Sequence, residues 1–514
     1  MSWATARRGA WGILGRVERV SGDLVVLGGG TAGCVVAGRI ALESDASVVV
    51  LEAGPDYGAR ESGRWPADLL DGGALVASHS WGYDTGDVHS HRGPIELPRA
   101  RVIGGCSSHN GCIVAVGCAD DYDGWARIAA DERWAADAMR PLIERALERM
   151  RVGHYADDEV GPFHAACLTA AAALGLPRAD DLDDLDGGVG FGVEPVNVER
   201  GVRVNTAFAY LDAARSRPNL RIVDHTLCDR IRRVGDGYEV VAWRGASELR
   251  VTAATIVLTA GSYGSPAILL RSGIGDPSDL EPLGISVTQA LPGVGRSLHD
   301  HPLVELDFAG SETLRQLLDA ASGFVPEEQT LGKLRSSLAS GPYDLHVIPV
   351  AAPAHSLLAG RTILAVGALE PRSRGRLTLA GREPDLQPVI DHAYLSDPDG
   401  HDLAVLVEGV ARARELAVTE PLRSLVGEEL VPGEGADLGE AIPRLHGHYY
   451  HPVGTCRMGV ADDPEAVCDG RGRLHGLPGL VVADCSLMPV VPRGNTNVPA
   501  VLVAERVTDG LLGL

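Results

Sequence analysis

The stretch Leu24-Val25-Val26-Leu27-Gly28-Gly29-Gly30-Thr31-Ala32-Gly33 decides the fold of this chain. Its apolar, β-branched opening reads as a buried parallel strand. The strand breaks into glycines at Gly28, Gly30 and Gly33, spaced G-x-G-x-x-G, and Cys34–Ala41 continues with helical spacing. A second strand, Ser47–Leu51, ends at Glu52. The glycines serve a tight turn, the close approach of a pyrophosphate, and close packing of helix on strand. The helix N-terminus offers free N–H groups and a positive dipole end to phosphates. Glu52, 19 residues past Gly33, is placed to accept hydrogen bonds from a ribose. A glycine triplet alone arises by chance. Strand, glycines, helix, strand and acid in one unit point to an adenine dinucleotide rather than a plain βαβ turn.

At 514 residues the chain exceeds one core and implies two or more domains. Its net charge of −23 argues against nucleic acid and anionic membranes as partners. No apolar run approaches the ~20 residues that cross a bilayer. The segment Met1–Arg19 has its apolar stretch broken by Arg16 and Glu18, and reads as a frayed extension rather than a signal peptide. Nine cysteines without framework spacing suit reduced thiols and a cytoplasmic location. Aromatic residues make up only 4%, so an aromatic-lined sugar groove or amine cage is not evident.

Farther along, Asp131–Met150 reads as a helix restarted or kinked at Pro141. Asp180–Asp186 reads as a solvated acidic loop, because it lacks calcium-ligand spacing. Strands are expected at Leu220–Val223, Gly237–Trp243 paired with Ser247–Thr252, and Thr255–Gly261, an apolar strand ending in small residues. A helix is expected from Ser265. The middle, from about Val304 to Tyr449, carries strand-like pieces at Asp344–Val350, Thr362–Leu369 and Gly375–Leu379, with a helix at Asp402–Ala417; it reads as an antiparallel sheet covering the active site. A strand at Leu480–Asp484 and a helix at Pro499–Leu512 close the chain, an ending that suits a nucleotide-binding domain built from distant segments.

Five further stretches, with the glycine unit, resemble the glucose–methanol–choline (GMC) family of flavin oxidoreductases. They are Arg101–Asn110; Gly261–Pro266 running on to Gly275; Val294–Pro302; His451–Gly459; and Val482–Pro499 with Gly494-Asn495-Thr496-Asn497. They occur in the family's order. The resemblance implies FAD, an alcohol as small-molecule substrate, and oxygen or another carrier as electron acceptor. It implies cofactor contacts at Gly28, Gly30, Thr31, Ala32, Gly33, Glu52, Ala53, Arg101, Gly104, Gly105, Ser108, His109, Asn110, Cys228, Ala260, Gly261, Asp484 and Asn497. In members like choline oxidase, a Cys-Ser-Ser-His-Asn run such as Cys106–Asn110 carries a histidine bonded covalently to the flavin. For His109, a covalent bond and a hydrogen bond near the ring are both open.

Alcohol oxidation needs a base for the hydroxyl proton, and histidine titrates near working pH. His451 stands where the family keeps its base, and Asn495 where it has Asn or His to orient the substrate oxygen. Helix capping is the plain alternative for Asn495 and Asn497. His446, His448 and His451 have metal-like spacing but no zinc-type cluster, so no metal is expected.

The fold class is therefore α/β (α+β overall): a Rossmann-like FAD-binding domain from 20–150, 206–302 and 452–514, and a discontinuous antiparallel-sheet substrate domain from 151–205 and 303–451. The expected activity is FAD-dependent oxidation of an alcohol by hydride transfer. The alternative is a flavin-containing lyase of the same family using the histidine for non-redox acid–base chemistry. The oligomeric state is open.

Overall fold

The computed structural model describes residues 17–86, 93–321, 323–353, 358 and 360–514. Most of the N-terminal stretch read as a frayed extension lies outside the described residues.

Strands Leu220–Val223, Val48–Leu51, Leu24–Leu27, Thr255–Leu258 and Leu480–Val482 lie side by side in that order, all parallel. Numbered along the chain, the order is 3-2-1-4-5, the doubly wound pattern. Every residue of the Leu24–Leu27 and Val48–Leu51 strands is buried, as covering on both faces requires. The order reverses between Leu24–Leu27 and Thr255–Leu258, so their carboxyl ends open the crevice in which such sheets hold ligands.

The crossover helix, Thr31–Glu43, is buried from Ala32 to Ala41. It packs on the C-terminal helix Asn497–Leu512. Arg39 is sealed between the two helices, where Glu505 at 2.7 Å, Asp509 at 2.6 Å and Glu43 at 2.8 Å compensate its charge. A four-stranded sheet flanks this unit. In it Glu18–Ser21 runs parallel to Ser247–Ala253, which pairs with Gly237–Arg244 and through it with Thr226–Val234.

The expected antiparallel sheet is present. Its order is Glu429–Val431, Pro302–Phe308, Thr362–Ala368, Leu345–Ala351, Thr330–Leu334 and Gly190–Val193, and Gly447–His448 pairs with the start of Pro302–Phe308. Helix His401–Ala417 covers it through Val405, Leu406 and Val410, which share a core with Val304, Leu345 and Val366.

Four expectations change. Arg376–Thr378 does not join this sheet; it forms a separate hairpin with Val389–Asp391. Leu377 and Ile390 of that hairpin pack into the parallel sheet's core. Pro141 does not restart its helix: a 3₁₀ turn at Glu132–Trp134 precedes a helix, Ala136–Arg149, that runs through it. The helix read from Ser265 begins at Gly261, whose φ of +78° turns the chain off the strand. The C-terminal helix begins at Asn497, two residues before Pro499. Among the described residues no helix is long and apolar enough to cross a membrane. The cysteines are unpaired.

A β-carbon on Gly33 would stand 1.9 Å from the Gly28 carbonyl oxygen, whereas one on Gly153 would meet nothing within 4 Å. Gly33→Ala is expected to lower unfolding free energy by about 1–3 kcal/mol. Gly153→Ala should change it by less than about 0.5 kcal/mol. Urea midpoints measure both, and equal midpoints would refute the packing argument.

Candidate active site

At the crevice, Gly28 leaves its strand at φ +104°, a conformation that favours glycine. Gly30 caps the crossover helix without a side-chain hydrogen bond, so first-turn donors stay available. A β-carbon on Gly30 would meet nothing nearer than 3.7 Å. Thr31 and Ala32 form the first turn. The Thr31 hydroxyl donates to the Gly104 carbonyl at 3.3 Å and accepts from the Ser107 N–H at 3.1 Å. The Gly104 N–H donates to the Gly29 carbonyl at 2.8 Å. A β-carbon on Gly105 would lie 2.6 Å from the Gly30 Cα. The two glycine loops are thus pressed backbone to backbone, although some seventy residues separate them in the chain.

Glu52 is buried at its strand end. Its Oε2 accepts from the Gly29 N–H at 2.8 Å and its Oε1 from the Gly54 N–H at 2.7 Å, so it braces the loop before it meets any ribose. Burial holds its carboxyl above the usual range, against the pull of those two N–H groups. The Ala53 carbonyl accepts from Arg101 Nε at 3.3 Å, and the Arg101 guanidinium lies 4.8 Å from the Trp81 ring centre. Cys228 lies at a bulge in its strand and is buried. Asp484 spends both oxygens on protein. Oδ2 accepts from the Gly261 N–H at 2.8 Å and the Ser265 hydroxyl at 2.6 Å. Oδ1 accepts from the Ser486 N–H at 2.9 Å. It fastens the Ala260–Gly261 turn to the end of the last strand.

His109 is buried, and its Nε2 meets the Ser78 carbonyl. Burial pulls its pKa down to about 4, so the ring is neutral. Ser108 donates to the Ile103 carbonyl at 3.2 Å. Asn110 Oδ1 accepts from Arg203 at 3.1 Å, and the wholly buried Arg203 also donates to the Asp71 and Ala74 carbonyls.

His451 follows the Gly447–His448 strand. Its N–H donates to Asp300 Oδ1 at 2.8 Å, and Asp300 Oδ2 accepts from the Tyr394 hydroxyl at 3.0 Å. Burial pushes Asp300 up to about 6, and Arg99 pulls against it. The Nδ1 atoms of His451 and His301 are 2.9 Å apart, with the rings edge to face. The Tyr449 ring centre is 4.4 Å from that of His451. The Tyr449 hydroxyl pairs with His346 Nδ1 at 3.1 Å, and the Asn495 amide lies close enough to favour its ionised form. Tyr449 thus stands beside both His451 and Asn495, which lie on separate segments. Burial drives the pKa of His451, His301 and His346 down, that of His301 to about 3.

The turn carrying Asn495 is held from below. The Arg493 N–H donates to Asp121 at 2.9 Å, and a β-carbon on Gly494 would lie 2.0 Å from the Ala115 carbonyl oxygen. Neither asparagine is the cap: Thr496 precedes the helix and Asn497 is its first residue. Asn495 Oδ1, Asn497 Nδ2 and His346 Nε2 are buried without partners. Such orphans cost about 1–3 kcal/mol each. An uncapped helix end, open space beside Gly30 and orphaned amides fit a ligand with an anionic middle and a hydrogen-bonding ring, as FAD has.

Sequence reading assigned no role to His301, Asp300, Tyr449 or His346. Two of them lie inside the quoted Val294–Pro302 stretch. His346 gave a signal of its own, as a polar residue in a strand buried at every position. His446 and His448 form no cluster with His451: they bond to the Pro443 and Glu96 carbonyls. Another group, His154 of the short strand Gly153–His154 with Asp181 and Asp183 of the acidic loop, brings ligand atoms within 4.8 Å of one another.

Family models described as GMC oxidoreductase match residues 22–303 and 371–504. The oxygen-dependent choline dehydrogenase 1 of Chromohalobacter salexigens is 32% identical, over 96% of this chain and 95% of its own. Choline oxidase of Arthrobacter globiformis is 32% identical, over 95% and 93%. Among solved structures, pyridoxine 4-oxidase from Mesorbium loti aligns with a TM-score of 0.84 at 28% identity, covering 95% of this chain and 98% of that one.

Proposed function

This chain belongs to the GMC oxidoreductase family, and on that premise we propose that His451 is the base of an alcohol oxidation and Asn495 the group that orients the substrate oxygen. The enzyme is an FAD-dependent oxidoreductase acting on the CH–OH group of donors. FAD, when bound, supplies the acceptor for the hydride that leaves the carbinol carbon. The glycine loops and the uncapped helix end would hold its diphosphate.

The observation that carries this reading is the contact between the His301 and His451 Nδ1 atoms. One hydrogen lies between them. The carbonyls of Leu369 and Pro492 favour a proton on the His301 ring, although its buried Nε2 has no hydrogen-bond partner among the described residues. With that proton on Nε2, His301 Nδ1 accepts from His451 Nδ1–H. His451 then keeps a bare Nε2, ready to take the hydroxyl proton. Asp300 fixes the His451 backbone, so the ring is aimed before substrate arrives. The Asn495 amide, beside Tyr449, gives the alkoxide-like oxygen a donor.

The same reading joins His109 to the flavin covalently; its neutral, buried ring supports this. It assigns 20–150, 206–302 and 452–514 to the FAD-binding domain and 151–205 and 303–451 to the substrate domain. The five-stranded parallel sheet falls in the first set, and the seven-stranded sheet that holds Pro302–Phe308 falls in the second except for Pro302 itself. Oxygen as acceptor is supported by the name of the choline dehydrogenase relative. A cytoplasmic location is supported by the unpaired cysteines.

Three outcomes are expected. His451→Ala should keep its flavin and lose about 10²–10⁴-fold in the rate of anaerobic flavin reduction by alcohol; near wild-type reduction would remove His451 from the role. A base whose pKa lies below the usual histidine value stays unprotonated through neutrality, and Asp300 loses its charge only near pH 6. The reduction rate should therefore be level above neutrality and fall on the acid side with a midpoint at or below about 6; a midpoint above 7 contradicts this. Acid precipitation should leave the yellow colour in the protein pellet, and release of all flavin to the supernatant would exclude the bond to His109.

A further inference from the structure

We propose that the alcohol oxidised here carries a protonated amine that retains an N–H, held by Glu328 with Glu194 behind it. This rests on the reading of His451 and Asn495 as the carbinol site.

Glu194 follows the Gly190–Val193 strand, and its N–H donates to the Gln329 carbonyl at 3.0 Å. Its side chain is wholly buried, and neither carboxyl oxygen has a hydrogen-bond partner. Glu328 lies just before the neighbouring strand, Thr330–Leu334, and is half-buried. Its Oε2 is 3.9 Å from where a β-carbon on Gly111 would stand, one residue past Asn110. Among the described residues no cationic side chain pairs with Glu328.

The two acids bear on each other and on the site. Burial and then Glu328 push Glu194 well above the carboxylate range. Burial, then Glu327 and Glu305, push Glu328 to about 8. Both carboxyls act electrostatically on the hydroxyls of Tyr449 and Tyr155. Tyr449 is the residue that touches His451 and stands beside Asn495. Both acids thus act on the hydroxyl of the tyrosine whose ring packs on that of His451.

FAD brings no cation to this place. Buried acids without a partner are costly, and a cationic ligand offsets that cost. The chemistry of the orphans narrows the ligand further. Bare carboxyl oxygens need donors at hydrogen-bond distance, which an ammonium with an N–H supplies. A quaternary nitrogen offers none, and its methyl groups hold the charge away. Two tyrosines feel both acids, Tyr449 and Tyr155, and the Tyr155 ring centre lies 6.4 Å from that of Phe324; such rings suit a cation's apolar substituents.

The test uses purified holoenzyme under anaerobic conditions. Dimethylaminoethanol, its neutral isostere isoamyl alcohol, quaternary choline and benzyl alcohol are each titrated while flavin bleaching is followed. The apparent Kd for dimethylaminoethanol should be at least about tenfold below that of the other three. Glu328→Gln and Glu194→Gln, each checked for full flavin content, should raise that Kd about tenfold or more. Equal or tighter binding of isoamyl or benzyl alcohol overturns the amine site, as a proton shared between the two acids would produce, and leaves alcohol oxidation standing. Choline binding as tightly as the tertiary amine overturns the N–H requirement. A preference that survives both substitutions overturns the assignment to these residues. Bleaching by none of the four overturns the catalytic reading and this proposal together.

Discussion

The contact between Gly33 and the Gly28 carbonyl is the constraint on which the rest depends. Only a hydrogen fits there, because a β-carbon would fall at 1.9 Å. That closeness seats the crossover helix on its strand, and so brings the uncapped end at Gly30 to the crevice. Once the helix is seated, the Gly104–Gly105 loop can reach it, bonding backbone to backbone and to Thr31. His109 and Asn110 follow on that loop, and Arg203 locks Asn110 in turn. Positions held by absent side chains thus set the placement of reactive ones.

The candidate catalytic groups obey a second rule, burial without charge. His301, His346 and His451 are all kept neutral by desolvation. Neutral imidazoles can donate at one nitrogen and accept at the other, so a chain of them orients its members without an ion pair. Asp300 is the exception, a carboxyl kept near neutrality's edge by burial yet aimed at a backbone N–H rather than a ring. It holds the His451 backbone in position and gives the ring no ionic partner.

Much of the nucleotide-binding part was legible because its physics is local. Gly28, Gly30, Gly33 and Glu52 lie within one βαβ unit, and spacing alone carries their meaning. Where contacts are long-range, spacing is silent. Glu52 and Asp484 stand where the resemblance implies cofactor contacts, and what spacing does not show is that their oxygens also hold the backbone N–H groups of Gly29, Gly54 and Gly261. Capping is the plain alternative for Asn495 and Asn497 by residue type, yet Thr496 takes the cap position and the helix begins at Asn497. The roles of Tyr449 and His346 depend on a sheet register that pairs distant strands, which no local pattern encodes. Glu194 and Glu328 were invisible for the same reason: each is unremarkable in its own segment, and only the pairing of Gly190–Val193 with Thr330–Leu334 makes them neighbours.

The parallel sheet takes its fifth strand from Leu480–Val482, and its crossover helix is covered by Asn497–Leu512. During synthesis, then, the edge of Thr255–Leu258 and the apolar face of the crossover helix stay bare until residues 480–512 have been made. An unpaired strand edge and an uncovered apolar helix are the surfaces that chaperones and aggregation compete for. The crevice between Leu24–Leu27 and Thr255–Leu258 is therefore walled in only when segments far apart in the sequence have come together.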